Sequence, residues 1–271
     1  MAYLSIILVN YNGSKFLYSC LSSIEKFLNS YNCEVIIIDN FSTDNSNQIV
    51  KDNFPSFKLI CSKTNLGFGK ANNLAVRESK GDYLLFLNTD TVLNENTPQT
   101  LLEYLQSNPN IGTISPKITF EDGRYQLSCG NLPSLTRECL DKIKYSLDNH
   151  YHSVLSKFYD RQYSKVQEVG WVTGACLMMR RDVFEQIGGF DENFFMYFED
   201  KDLCKRVKEL GYKVVYYPHT TIIHLLGGSS HGIKKSVNTY YRNSQLYYYQ
   251  KHLGKVQTFL LRLYLNLTGK I

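Results

Sequence analysis

The chain has no run of about 18 apolar residues, which excludes a membrane-spanning helix. Its seven cysteines include no C-x-x-C pair and are odd in number, arguing against a disulfide frame or a zinc site and for reduced, structural thiols. The start MAYLSIILVNYN has no basic region and its apolar stretch ends at Asn10. It therefore reads as a first strand rather than a signal peptide, and a cytoplasmic location is expected. Internal repeats and low-complexity tracts are missing too. Acidic residues vanish after Glu209: residues 210–271 hold eight Lys and Arg (Lys213, Lys234, Lys235, Arg242, Lys251, Lys255, Arg262 and Lys270) and no Asp or Glu. The whole chain carries only +5, so everything before that tail is net acidic. This distribution fits an anionic membrane surface better than a nucleic-acid duplex, and no nucleic-acid partner is expected.

What is present is an ordinary globular composition, 43% hydrophobic and 20% charged over 271 residues, enough to bury a sizeable core. The first third alternates strand and helix signals. Strands are predicted at 3–9, 35–39 (VIIID), 57–61 and 83–87 (YLLFL), each short, apolar and β-branched or aromatic. Between them, Ser14 is a candidate N-cap for a helix carrying Phe16, Leu17, Cys20, Leu21, Ile24, Phe27 and Leu28 at helical spacing. Further helices are predicted at 43–53, stopped before Pro55, and at 70–79. Such alternation specifies an α/β chain with a mostly parallel sheet, whose ligands bind at strand ends. Residues 122–167 show little periodicity. After them the pattern predicts one strand over WVTGACLMMRR (171–181), a helical turn at 182–187, a helix at 202–210 closed by Gly211, a strand at 213–217 before Pro218, and a tyrosine-rich helix at 234–252.

Acidic residues stand at or just after predicted strand ends: Asp39 in IIIDN, Asp90 in LFLNTD, and Glu199-Asp200 in FFMYFEDKD. A lone Asp there is as often a turn residue as a ligand. Carboxyl ends of parallel strands share one sheet edge, however, so Asp39 and Asp90 are expected to face a common crevice. Asn65-Leu66-Gly67-Phe68-Gly69 precedes a helix and could bring backbone N–H groups to a phosphate. As a dinucleotide fingerprint it is weak, since it follows the third strand and has Asn72 at the third glycine position. A dehydrogenase is disfavoured. Glu199-Asp200-Lys201-Asp202 also reads as an acidic helix start favoured by the helix dipole, which explains Asp202 fully.

Six blocks then resemble the family 2 inverting glycosyltransferases, within them the rhamnosyltransferase-like branch, over nearly the whole chain. They are SIILVNYN (5–12), EVIIIDNFSTDNS (34–46), NLGFGKANN (65–73), YLLFLNTD (83–90), WVTGACLMMRRDVFEQIGGFDENFFMYFEDKDLCKRVKELGYKVVYYP (171–218) and IIHLLGGSS (222–230), in the family's order. The resemblance implies a GT-A fold with helices on both faces of a continuous sheet. It would comprise a glycosyltransferase domain at 1–230, with a nucleotide-sugar half to about 120 and an acceptor half from 121. Residues 231–271 would follow as a basic, aromatic helical segment.

Carried over by residue, the resemblance places Val9, Asn10, Tyr11, Asp39 and Asn40 in the cradle for base and ribose. It places Asn65, Gly67, Phe68 and Asn72 in the loop lining the nucleotide, with Asn88, Thr89 and Asp90 at the diphosphate. Asp90 matches the last carboxylate of the family's D-x-D motif; Asn88 departs from its first Asp, so a bound cation would depend more on the donor diphosphate. His224 matches a position supplying a second ligand to Mg2+ or Mn2+, a match that extends weakly to His231 and not to His219. Asp200 matches the catalytic base and Glu199 its supporting acid, while Trp171 and Gly174 fall on the acceptor side. The implied partners are a nucleoside diphosphate sugar, dTDP-rhamnose by default, and a glycan or lipid-linked glycan acceptor of cell-surface polysaccharide synthesis. The basic tail adds an anionic membrane surface, at the cytoplasmic face of the inner membrane, to the expected partners, with an oligomer left open. Two alternatives are weighed against this. A nucleotidyltransferase requires a glycine-rich loop directly after the first strand, where Asn10-Tyr11-Asn12-Gly13 stands. A non-catalytic glycan-binding descendant would have lost Asp90, Asp200 or His224, and all three are present.

Overall fold

The computed structural model describes residues 3–27, 32–137, 156–225 and 234–270, the side chains of 234–236 excepted. Leu28 of the first predicted helix, Cys139, the second half of the IIHLLGGSS block and His231 lie outside the described residues. The chain alternates β1 (Leu4–Asn10), α1 (Ser14–Glu25), β2 (Cys33–Asp39), α2 (Ser46–Asn53), β3 (Lys58–Cys61), α3 (Phe68–Arg77) and β4 (Tyr83–Asn88). After β4 come β5 (Thr91–Leu93), α4 (Thr97–Ser107), β6 (Ile111–Thr119), β7 (Cys129–Gly130), β8 (Gln167–Glu168), β9 (Trp171–Val172) and β10 (Cys176–Arg180). Then follow α5 (Arg181–Gln186), α6 (Glu199–Glu209), β11 (Lys213–His224), α7 (Lys234–His252) and α8 (Gly254–Leu267).

The central sheet runs β3-β2-β1-β4-β10-β6-β11-β5, with β8 on β11. Strands β1 to β4 pair in parallel, as do β6 and β11, whereas β10 is antiparallel to both β4 and β6. The expected α/β fold with a mostly parallel sheet is therefore borne out. Alternation along β1 explains its two covered faces: Leu4, Ile6 and Leu8 join the core cluster of α1 and α4, while Ile7 joins that of α3, α5 and α6. Each such fully buried Leu or Ile contributes about 1.5–3 kcal/mol.

Several boundaries differ from expectation, each for a local reason. Ser14 is not the N-cap; Gly13 precedes α1, and the Ser14 N–H is instead capped by the Asp44 carboxylate at 2.9 Å. The predicted strand 171–181 breaks at Thr173-Gly174-Ala175, because β9 pairs with β7 in a separate two-stranded sheet while β10 inserts beside β4. The strand predicted to stop before Pro218 continues to His224: β11 slips register against β6 between Tyr217 and Thr221, which takes the proline, lacking an N–H, out of the ladder. Helix α6 begins at Glu199 rather than at Asp202.

Asp202 is more than a helix start. It is fully buried, accepts from Arg206 Nε at 2.8 Å and Lys251 Nζ at 2.6 Å, and lies 2.7 Å from His252 Nε2. Lys251 also reaches Asp191 at 2.7 Å, so this network fastens α7 to the body of the protein. The six cysteines among the described residues are unpaired, and burial pushes the Cys20, Cys129 and Cys204 thiols up to about 12. Among the described residues no helix is long and apolar enough to cross a membrane.

Candidate active site

A cavity of about 380 Å³, within the range that holds small ligands, opens where β1, β4 and β11 end. Val9, Tyr11, Asn40, Asn65, Gly67, Phe68, Asn88, Thr89, Asp90 and His224 line one side; Gly174, Glu199 and Asp200 line the other. Asn10, Asp39, Asn72 and Trp171 do not reach it. Asp39 is buried behind the wall, accepting from Asn10 Nδ2 at 3.1 Å, the Ser42 N–H at 3.1 Å and Asn47 Nδ2 at 3.2 Å. The expected crevice thus receives Asp90 but not Asp39, whose neighbour Asn40 takes that place.

Asn40 shapes the loop before α3. Its amide donates to Asn65 Oδ1 at 3.0 Å and Gly67 O at 3.2 Å, and its carbonyl accepts from the Leu66 N–H at 2.8 Å. Gly67 has φ +77°, and a Cβ there would lie 2.4 Å from Phe195 O, so only glycine fits. Asn72 donates to Phe68 O at 2.9 Å and serves the first turn of α3.

At the end of β4, Asp90 Oδ1 lies 3.1 Å from His224 Nε2, and both residues are nearly buried. Behind the imidazole, Gln126 Nε2 sits 3.0 Å from Nδ1, while Gln126 Oε1 is buried with no hydrogen-bond partner among the described residues. With Nε2 protonated, the ring donates to Asp90 and Nδ1 accepts from the Gln126 amide; in the other tautomer, with that amide rotated by half a turn, Nδ1 donates to Gln126 Oε1 and the Nε2 lone pair is free for a cation beside Asp90. One carboxylate oxygen and one imidazole nitrogen, the ring held by an outer amide, fit a divalent cation whose other ligands come from a diphosphate and water. No group of three or more His, Cys, Asp or Glu that could hold a metal occurs among the described residues.

Across the cavity, Tyr197 (φ +71°) and Phe198 (φ +67°) adopt the left-handed conformation in succession, which costs about 1–3 kcal/mol at each. Aromatic packing offsets the strain: Phe198 is buried with Tyr248, and its ring meets Tyr241 at 5.3 Å. The twist delivers Glu199 and Asp200 to the start of α6. Asp200 Oδ2 accepts from the Gly174 N–H at 3.2 Å and Oδ1 from the Lys201 N–H at 2.8 Å. Glu199 is buried and its Oε2 has no partner among the described residues. Burial, reinforced by the neighbouring Asp200 charge, pushes its carboxyl up to about 8, so it holds a proton at neutral pH.

Sequence reasoning missed several parts of the wall, and Gln126 behind it. Lys201 lines the cavity with its ammonium 4.8 Å from the Trp171 ring centre and 4.4 Å from that of Phe198. Trp171 is thus a platform behind Lys201. Val237, Tyr240 and Tyr241 of α7 roof the cavity, although the tyrosine run reads as a packed helix face. Gln126 falls in the stretch without periodicity.

Residues 5–188 match the family described as Glycosyl transferase family 2. The chain belongs to this family. It is 31% identical over 235 residues, 76% of this chain and 73% of the relative, to the N-acetylglucosaminyl-diphospho-decaprenol L-rhamnosyltransferase of Mycobacterium tuberculosis. It is 28% identical over 217 residues, 69% of this chain and 76% of the relative, to a rhamnosyltransferase of Escherichia coli. Among solved structures it resembles a mannosyltransferase from Pyrobaculum calidifontis in complex with GDP-Man and Mn2+, with a TM-score of 0.58, 18% identity, and coverage of 96% of this chain and 64% of that one. The fold is GT-A, and the chain is a glycosyltransferase.

Proposed function

We propose that this glycosyltransferase is metal-dependent and inverting, and that it moves a sugar, rhamnose from dTDP-rhamnose by preference, onto a hydroxyl of a lipid-linked glycan. One observation carries the reading. A single cavity holds a carboxylate-imidazole pair (Asp90, His224) on one wall and a solvent-reachable carboxylate (Asp200) on the other, with the Asn40–Gly67 loop beside them. The donor base and ribose would lie along Val9, Tyr11, Asn40 and the loop at Asn65–Phe68, placing the diphosphate at Asn88–Asp90. Asp200 accepts the proton of the acceptor hydroxyl as its oxygen bonds to the anomeric carbon. The bond from that carbon to the diphosphate breaks on the opposite face, so one displacement inverts the centre and releases the nucleoside diphosphate. A Mg2+ or Mn2+ held by Asp90 and His224 would neutralise charge on the departing diphosphate. Glu199, keeping its proton, adds no second negative charge beside the base.

The rhamnosyl donor and lipid-linked acceptor rest on the names of the relatives, which act within the same family. The test is transfer by the purified chain from a panel of nucleotide sugars to an N-acetylglucosaminyl-diphospho-polyprenol, with anomeric configuration read by NMR. Inverted rhamnosyl product supports the reading. Transfer of a different sugar overturns the donor, and a retained anomeric centre overturns the mechanism.

A further inference from the structure

The outer face of α8 is apolar and is not covered by the described residues. Val256 is 72% exposed, Phe259 65% and Leu267 79%, with Leu260 and Leu263 exposed between them. Their spacing places all five on one stripe about 100° wide. The opposite face is already satisfied by the fold, since Leu261 and Leu265 are buried in a cluster with Phe194, Phe198, Tyr248 and Tyr249. Packing among the described residues therefore does not account for the outer stripe.

The charge that this segment itself carries is of one sign. Lys255 and Arg262 are exposed on one flank of the stripe, about 100° from its centre, and Lys270 follows the helix end. No salt bridge among the described residues engages any of the three, and no acidic residue occurs from 210 to 271. Two copies meeting through this stripe would bring their cationic flanks together without a compensating carboxylate. An anionic bilayer supplies both complements: acyl chains for the stripe and headgroup phosphates for the flank.

We propose that the exposed face of α8 is an interfacial helix that seats the protein on an anionic lipid surface. The placement has a consequence for the site. Helix α7 roofs the cavity with Val237, Tyr240 and Tyr241 at one end and packs on α8 through Tyr248 and Tyr249 at the other. A seated α8 therefore holds the cavity one helix away from the bilayer, where a lipid-linked acceptor is found. This deepens the acceptor reading above, but the docking itself is measured without turnover.

The test is co-sedimentation of the full chain with vesicles of phosphatidylcholine alone and of phosphatidylcholine mixed with phosphatidylglycerol. Binding is expected to the mixed vesicles and not to the neutral ones. The double substitution Phe259→Glu with Leu263→Glu should abolish it, and Lys255→Gln with Arg262→Gln should weaken it about 30-fold. All four side chains are exposed, so thermal unfolding and rhamnosyl transfer to a water-soluble acceptor should be unchanged. Equal binding to both vesicle types, binding to neither, or wild-type binding by the variants would overturn the proposal. So would a lipid-free dimer, seen by light scattering, that the Phe259→Glu, Leu263→Glu variant dissolves. Absent transfer with intact vesicle binding would sink the enzymatic reading and leave the docking standing.

Discussion

Asp90 Oδ1 lies 3.1 Å from His224 Nε2 although 134 positions separate the two residues. Sheet register brings them together: β5 pairs antiparallel with β11, Thr91 stands opposite His224, and the Leu225 N–H closes the ladder on Asp90 O at 2.8 Å. The pair is therefore built on paired strands at the edge of the core, which limits its freedom to drift when a ligand enters.

If this pair holds the cation, Asp90→Asn and His224→Ala should each remove the gain in nucleoside diphosphate affinity that Mn2+ provides. Calorimetric titration of dTDP with and without Mn2+ reads this directly. Gln126→Leu should lower Mn2+ affinity by about 10–100-fold, as loss of an outer partner does, while Gln126→Glu, able to accept from Nδ1, should restore it. Full activity in excess EDTA would refute the assignment. Leaving-group charge would then fall to Lys201, the one Lys or Arg among the described residues of the cavity wall. Arg180, Arg181 and Arg206 are committed elsewhere, to Asp182, to Gly81 O and Ser79, and to Asp202.

Gly67→Ala tests the nucleotide loop. A methyl group at that position would meet Phe195 O at 2.4 Å in a backbone region closed to side chains. The Phe68 N–H donates to that same Phe195 oxygen at 2.8 Å, so relief of the clash moves the start of α3. We expect a loss of about 1–3 kcal/mol in stability and weaker donor binding, read by thermal unfolding with and without dTDP. An unchanged melting temperature would show that the loop relaxes freely.

The first half of the fold was legible because continuous apolar strands separated by amphipathic helices leave few alternatives. Asp90 and Asp200 were legible as carboxylates at element ends, given the resemblance. Asp39 falls outside the cavity lining because strand-end position fixes the edge of the sheet but not which way a side chain is spent; Asn10, Ser42 and Asn47 consume it. The break at Thr173–Ala175 and the passage of β11 through Pro218 follow from pairing with distant strands, which local pattern does not carry. Gln126, Lys201 and the roof of Tyr240 and Tyr241 enter the site through tertiary contacts alone. Asp202 reads in sequence as no more than an acidic helix start because its partners Lys251 and His252 lie 49 and 50 residues away.

Asp202→Asn should loosen α7, since it leaves Arg206, Lys251 and His252 without their shared counter-charge. Breaking a buried pair in this way costs about 3–5 kcal/mol. The pH dependence has a definite sign. Burial works against the Asp202 charge, but His252, Arg206 and Lys251 outweigh it and hold the carboxyl below its ordinary value of 3.8. For Asp191, burial is likewise outweighed, by Lys251, Asn193 and Tyr247, which bring it to about 2. Both groups thus stabilise the fold above the ordinary carboxylate range, and that stability is lost as pH falls through their folded values. Denaturant melts from pH 7 down to pH 2 should show a smaller acid loss in Asp202→Asn than in the wild type. Parallel curves would mean that the network is silent.

The Glu199-Asp200 pair supports the most discriminating experiment, since a base is needed for transfer but not for holding the donor. Asp200→Asn keeps size while removing proton acceptance, so turnover should fall by about 10²–10⁴-fold with dTDP affinity little changed. Glu199→Gln should be milder, because a protonated Glu199 already resembles its amide. Stability adds a second readout. The folded chain keeps a proton on Glu199 up to about pH 8, whereas the unfolded chain releases it near the ordinary value of 4.5. Stability therefore declines as pH rises through that window. Glu199→Gln should abolish this decline and match or exceed the wild type at pH 8. A deeper catalytic loss in Glu199→Gln than in Asp200→Asn would move the base to Glu199. A wild-type slope retained in the variant would show that Glu199 is ionised in the folded chain.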